Sequence, residues 1–425
     1  MVLTVESQSD SAARQPVHTV YGGAQLFKPE TPARLGAHAL ELIRTYTPDA
    51  ASFAQCLGLT GGEFASSVFD RTVAKLGREP VEDFRIDFED GYGYRSDAEE
   101  DGHARSAARA LARAQALPGF PPFIGIRIKP FTVALRARAN RTLDLFFEAL
   151  CSETIQLPEN FVVTLPKISV TEQVAELVET LQGLEMRHGL QPGIVKIELM
   201  IETPQAIIDS YGSFCIPRLI EAAGGRCRGL HFGPYDYTAS CDIAAAEQRL
   251  DHPACDFARN VIQVSAAGRG VSLSDGPSTI LPIPRHRAAA GALTAEQAAE
   301  NRTVVHRAMR HHFDLAQRSL SNGYYQGWDL HPGQLPTRYA AVYAFFLKSL
   351  DSTAVRLRNF IDKAAQATLV GDVFDDAATG QGLLNFLLRG VNCGAFTAEE
   401  AGASGLTIEE VRGRSFLKIM ANRAQ

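Results

Sequence analysis

Short β-rich runs alternate with longer amphipathic stretches along the first 330 residues or so of the chain. The apolar, β-branched runs at 17–21 (VHTVY), 84–88 (FRIDF), 123–128 (FIGIRI) and 161–165 (FVVTL) read as strands. So do 196–201 (KIELMI), 229–233 (GLHFG), 270–273 (GVSL) and 325–330 (YQGWDL). Helical periodicity fills the spaces between them, for example at 31–46, 97–116, 138–150, 170–188, 205–222 and 299–322. Strands separated by helices imply βαβ units and a parallel sheet, and eight such units predict a closed (β/α)8 TIM barrel. An open doubly wound sheet would carry a glycine-rich dinucleotide loop after its first strand, and GxGxxG is absent.

Residues 1–15 read as a disordered lead-in, 16–345 as the barrel and 346–425 as a helical extension. The Pro- and Ala-rich stretch 277–298 interrupts the seventh unit as a surface insertion. Beyond 336 the pattern is helical only, at 337–350, 352–369, 380–391 and 407–421. This tail is expected to form an outer layer or a lid.

Composition narrows the function. With 45% apolar and 21% charged residues the chain has an ordinary globular profile, and its net charge of −6 argues against nucleic acid or an anionic membrane as partner. A small anionic substrate stays open, because local charge in a cleft matters more than the total. Seven scattered cysteines without a CxxC pair suggest reduced thiols. The polar N-terminus and the lack of a bilayer-length apolar run predict a cytoplasmic protein with no membrane partner.

In a parallel barrel, chemistry gathers at the C-terminal ends of the strands. Strand two ends in Asp87, Glu89 and Asp90, three acids that need cations or donors nearby. They form either a rim-capping cluster, a shell of carboxylates around a metal, or a proton-handling pair. Strand three supplies Arg127 and Lys129, read as sharing a face, and strand four ends in Pro166-Lys167. These cations suit a substrate carboxylate or a developing enolate oxygen, or else partner the strand-two acids. Strand five ends in Glu202-Thr203-Pro204 and strand six in Gly233-Pro234-Tyr235-Asp236. Glu202 and Asp236 on neighbouring strands make an open site for a hard cation. Without a His or Cys at matching spacing, Mg²⁺ or Mn²⁺ is preferred to zinc. His331 reads as a turn-pinning histidine, and His311 and His312 as surface residues on a helix. The Gly22-Gly23 pair reads as a substrate approach or a tight turn.

Taken in order, these motifs resemble the HpcH/HpaI aldolase and citrate lyase β-subunit-like family of the phosphoenolpyruvate/pyruvate superfamily. The matching segments are Asp87-Phe88-Glu89-Asp90 with Ala104-Arg105, Arg127, Pro166-Lys167, Glu202, Asp236, Asp275-Gly276 and His331 to Gln334, over roughly residues 16–345. The resemblance implies a divalent-metal-dependent carbon–carbon lyase acting on a 2-oxo acid, hydroxy acid or acyl thioester. Glu202 and Asp236 would hold the metal, Arg127 and the metal would polarise the carbonyl, Glu89 and Asp87 would orient metal-bound water or relay a proton, and Lys167 would be a further catalytic residue. Arg127, Lys129, Thr203, Pro204, Gly233, Pro234 and Tyr235 would line the substrate. The chain departs from the family in having Lys129 where Asn is common and His18-Thr-Val-Tyr-Gly-Gly at the first strand, a region that in thioester-using relatives contacts coenzyme A. Coenzyme A is therefore an open question. The competing readings are a malate-synthase-like or acyl-CoA lyase activity, phosphoryl transfer, and a non-catalytic metabolite-binding barrel. A homo-oligomer is expected.

Overall fold

Eight strands hydrogen-bond in chain order, each parallel to the next, and the eighth pairs back with the first to close a barrel. They are β1 (His18–Gly23), β2 (Asp83–Asp87), β3 (Phe123–Arg127), β4 (Phe161–Leu165), β5 (Lys196–Ile201), β6 (Cys227–Phe232), β7 (Ser272–Pro277) and β8 (Gln326–Asp329). The structure, a computed structural model, describes residues 14–154, 156–287, 292–362, 368–370, 373–375, 377–413 and 415–423. Most of the expected lead-in thus lies outside the described residues, as do 288–291 of the expected insertion. β7 begins two residues later than its expected run and includes Asp275-Gly276-Pro277. That sequence looks like a turn, and pairing with β6 and β8 overrides the local preference.

Side chains alternate across the barrel wall. Ile86, Ile126, Val163, Leu199, Ile201 and Leu230 are buried in the apolar core that the surrounding helices complete. The inward face is polar, where barrels usually carry branched apolar residues. Arg85 of β2 donates from Nη2 to Glu198 Oε2 of β5 at 2.6 Å and from Nε to Thr164 Oγ1 of β4 at 3.1 Å. Glu198 also lies 3.1 Å from His231 Nε2 of β6, and His231 Nδ1 is 3.3 Å from the Tyr21 hydroxyl of β1. Charge buried this deeply is tolerated only when paired, and the arginine and both carboxylates, Asp83 and Glu198, are paired.

The helix that follows β8, Leu335–Asp362, runs without a break across the expected boundary at 345. A helix that follows a barrel strand returns towards the N-terminal ends of the strands. At 1.5 Å per residue its 28 residues span about 42 Å, well past the barrel wall. The tail helix Ala377–Asn392 packs on this overhang through Phe386, whose ring centroid is 5.0 Å from that of Phe346. Asn385, Leu388 and Arg389 consequently face Phe123, Lys196 and Gln326 at the starts of the strands. Of the outer layer or lid expected of the tail, this helix forms a layer against the strand starts, at the end of the barrel opposite the mouth. Among the described residues no helix is long and apolar enough to cross a membrane.

Candidate functional site

The register of β2 against β3 sets Asp87 beside Arg127. The guanidinium donates to both carboxylate oxygens, Nε to Oδ1 at 2.7 Å and Nη2 to Oδ2 at 2.5 Å. Asp87 also accepts the backbone N–H groups of Glu89 at 2.9 Å and Gly91 at 2.7 Å. A Cβ on residue 91 would come within 2.6 Å of Asp87 Oδ2, so only glycine allows this approach. Both oxygens of Asp87 are engaged in holding Arg127 and the loop that follows. Arg127 lies over the rings of Tyr21 and Trp328, at 4.8 Å and 5.4 Å from their centroids. Its Nη1 is the least engaged nitrogen, 3.6 Å from Met200 Sδ and 3.3 Å from Glu89.

Lys167 joins the remaining acids. Its backbone is left-handed at φ 50, a strained conformation for a residue with a side chain. In that conformation its N–H donates to Glu202 Oε1 at 2.7 Å. Its ammonium pairs with Glu89, lies 3.1 Å from both Asp90 oxygens and 3.6 Å from Asp236 Oδ2. Glu202 directly follows β5 and is buried, while Asp236 sits in the first turn of helix Pro234–Ser240 with its side chain 42% exposed. Residue 233 must be glycine, because a Cβ there would lie 2.5 Å from Glu202 Oε2. Burial, reinforced by the charge of Asp236 and opposed by Lys167, pushes the Glu202 carboxyl up to about 8. Burial also raises Glu89, against the pull of Arg127 and Lys167.

Other expected site residues are otherwise engaged. Lys129 does not join Arg127: its ammonium donates to the Phe88 carbonyl at 2.8 Å and pairs with Glu100 at 2.9 Å. The Thr203 hydroxyl donates to the Ile168 carbonyl and caps the short helix Pro204–Ile207 that Pro204 opens. The Tyr235 hydroxyl donates to the Pro277 carbonyl at 3.0 Å, tying the β6 loop to β7, and Pro234 is buried at the start of its helix. His331 caps its own turn by accepting the Gly333 N–H at 3.0 Å. His312 is not at the surface. It is buried between Thr337, at 2.5 Å, and Asp329, at 3.0 Å. Sequence reasoning missed Tyr21, Trp328 and Met200 around Arg127. Their positions, two residues before Gly23 on β1, mid-β8 and two before Glu202, follow from strand alternation once the register is known.

The cluster therefore sets five carboxylates, Asp87, Glu89, Asp90, Glu202 and Asp236, against two cations, Arg127 and Lys167. Among the described residues no three His, Cys, Asp or Glu side chains gather as a metal-ligand group. The excess of hard oxygen donors nonetheless suits Mg²⁺ or Mn²⁺ bound by two carboxylates, with substrate and water in the other positions.

A closed parallel barrel with this charged cluster at the C-terminal rim defines a (β/α)8-barrel protein. The chain belongs to the family described as domain of unknown function DUF6986, whose family model matches residues 4–419. No curated protein matches the sequence. Among solved structures it is similar to a citrate lyase from Burkholderia xenovorans LB400, at 21% identity and a TM-score of 0.60, covering 92% of this chain and 96% of that one. It is also similar to the protein CitE from Mycobacterium tuberculosis, solved with magnesium, acetoacetate and coenzyme A. That match has 15% identity and a TM-score of 0.50, covering 90% of this chain and 99% of that one. At these identities the likeness establishes the shared fold.

Proposed function

We propose that the protein is a carbon–carbon lyase of the aldolase type, dependent on Mg²⁺ or Mn²⁺, acting on a small anionic 2-oxo or hydroxy acid. One observation carries the reading: Arg127, anchored through two nitrogens, presents its third beside a carboxylate cluster whose two metal candidates, Glu202 and Asp236, lie at adjoining strand ends. A divalent ion bound by these two carboxylates would polarise the substrate carbonyl as a Lewis acid.

The chain's own residues supply the rest. Cleavage removes a hydroxyl proton, breaks the adjacent carbon–carbon bond and leaves the electron pair on an enolate oxygen. Glu89, whose affinity for a proton is raised by burial, accepts the proton. Arg127 Nη1 donates to the enolate oxygen, and the Asp87 fork prevents the guanidinium from swinging away. Lys167 holds Glu89, Asp90 and Asp236 in place until substrate arrives. The magnesium of the Mycobacterium protein supports this choice of ion, and its coenzyme A makes a thioester substrate worth testing.

The test is solvent deuterium exchange into pyruvate by the full-length protein with Mg²⁺. Exchange is expected to require the metal and to fall steeply in Glu202→Gln and Asp236→Asn. Undiminished exchange after complete chelation overturns the metal-dependent reading.

A further inference from the structure

A cavity of about 520 Å³ lies at the other end of the barrel, under the strand starts and against helix Ala377–Asn392. That volume falls within the range of pockets that enclose small organic ligands. Six cationic side chains and one carboxylate line it, in a protein whose overall charge is −6. The carboxylate, Glu198, is already engaged inside the barrel, paired with Arg85 and 3.1 Å from His231 Nε2. Arg14, Arg226 and Arg269 spend their charge on Glu79 and Glu82, Glu185, and Glu221 respectively.

Lys196, Arg228 and Arg389 do not. Among the described residues none of the three has a carboxylate within salt-bridge distance. Arg228 donates to the Asn160 side-chain oxygen at 3.2 Å, and Arg389 to that of Gln15 at 3.1 Å. Arg389 stacks 4.1 Å from the centroid of Tyr325, and burial lowers its affinity for its proton. Three cations converging from β5, β6 and the tail helix without counter-charges carry a desolvation and repulsion cost, and an anion would remove it. The neutral wall includes the rings of Phe123, Tyr325 and Phe346, apolar surface that inorganic ions alone would not use.

We propose that this basal cavity is a second binding site, specific for a small organic polyanion bearing carboxylate or phosphate groups and held by Lys196, Arg228 and Arg389. Because Arg389 belongs to the tail and the other two to the barrel, the ligand clamps the C-terminal helices onto the base. The site is separate from the mouth, and the proposal does not depend on the reaction assigned there.

The experiment is calorimetric titration and thermal unfolding of the full-length protein, free of divalent cations, with pyrophosphate and with citrate. Sodium chloride at matched ionic strength is the control. Saturable binding and a raised Tm are expected for wild type and equally for Glu202→Gln. Removing one charge-assisted contact in Lys196→Met, Arg228→Met or Arg389→Met should weaken binding about tenfold or more. Preference for pyrophosphate identifies phosphate recognition, and preference for citrate identifies carboxylate recognition. No stabilisation beyond the salt control overturns the proposal. So does binding that survives all three basal substitutions or is lost in Glu202→Gln. Three separate variants guard against one that fails to fold, and metal-dependent exchange at the mouth should be unchanged in each.

Discussion

The two ends of the barrel solve the problem of charge in opposite ways. At the mouth, carboxylates outnumber cations, and every cation is engaged: Arg127 by Asp87, Lys167 by Glu89, Asp90 and Asp236. At the base, cations outnumber carboxylates, and among the described residues Lys196, Arg228 and Arg389 pair with no carboxylate. The polar column Arg85–Glu198–His231–Tyr21 separates them, itself fully paired. A charge excess of one sign at each end marks where a ligand of the opposite sign belongs, a cation above and an anion below.

This contrast predicts a hierarchy of effects. The largest is Asp87→Ala, which leaves Arg127 buried without its partner. It should cost about 3–5 kcal/mol in urea unfolding, and a loss below about 1 kcal/mol would show that the pair is not structural. Next, Glu202→Gln should lower metal-dependent deuterium exchange by about 10²–10³-fold, the typical value of one electrostatic contact to the reacting centre. Lys196→Met should leave that rate alone, so equal effects at both ends would dissolve the distinction.

The third prediction concerns pH. Because the Glu202 carboxyl is pushed up to about 8, a proton competes with the metal, and affinity for Mg²⁺ should fall about tenfold per unit as pH drops below that value. Without metal the sign reverses for folding. The folded state holds a proton that the unfolded chain releases near the ordinary Glu value, so stability from this group is lost as pH rises from there to about 8. Titration by calorimetry, repeated in Glu202→Gln, should show both slopes flatten. The smallest effect is Arg389→Met without ligand. Deleting an uncompensated cation should shift stability by less than about 1 kcal/mol, towards gain or neutrality, the opposite sign from Asp87→Ala.

Much of the mouth was legible because strand alternation and strand ends are local features. Asp87 lies near the end of a recognisable β-run and Glu89, Lys167, Glu202 and Asp236 follow others, and the fold does bring them together. The partners of Lys129, Thr203 and Tyr235 were not legible, because they depend on which carbonyl the fold brings opposite each side chain. β7 was displaced because SLSDGP has almost no apolar content to signal a strand.

By itself, the amino-acid order determined the eight βα units, the closed barrel they imply and the acids waiting at their ends. Its periodicity is the signal that short-range physics writes into a chain. Tertiary structure alone decided that Asp87 is consumed in holding Arg127, that Tyr21 and Trp328 form the surface beneath that guanidinium, and that the tail lies against the base. It also brought together Lys196, Arg228 and Arg389, which are up to 193 positions apart in the chain (389 − 196). Charges so distant carry no joint pattern in sequence, and their repulsion acts only once the fold has placed them around one cavity.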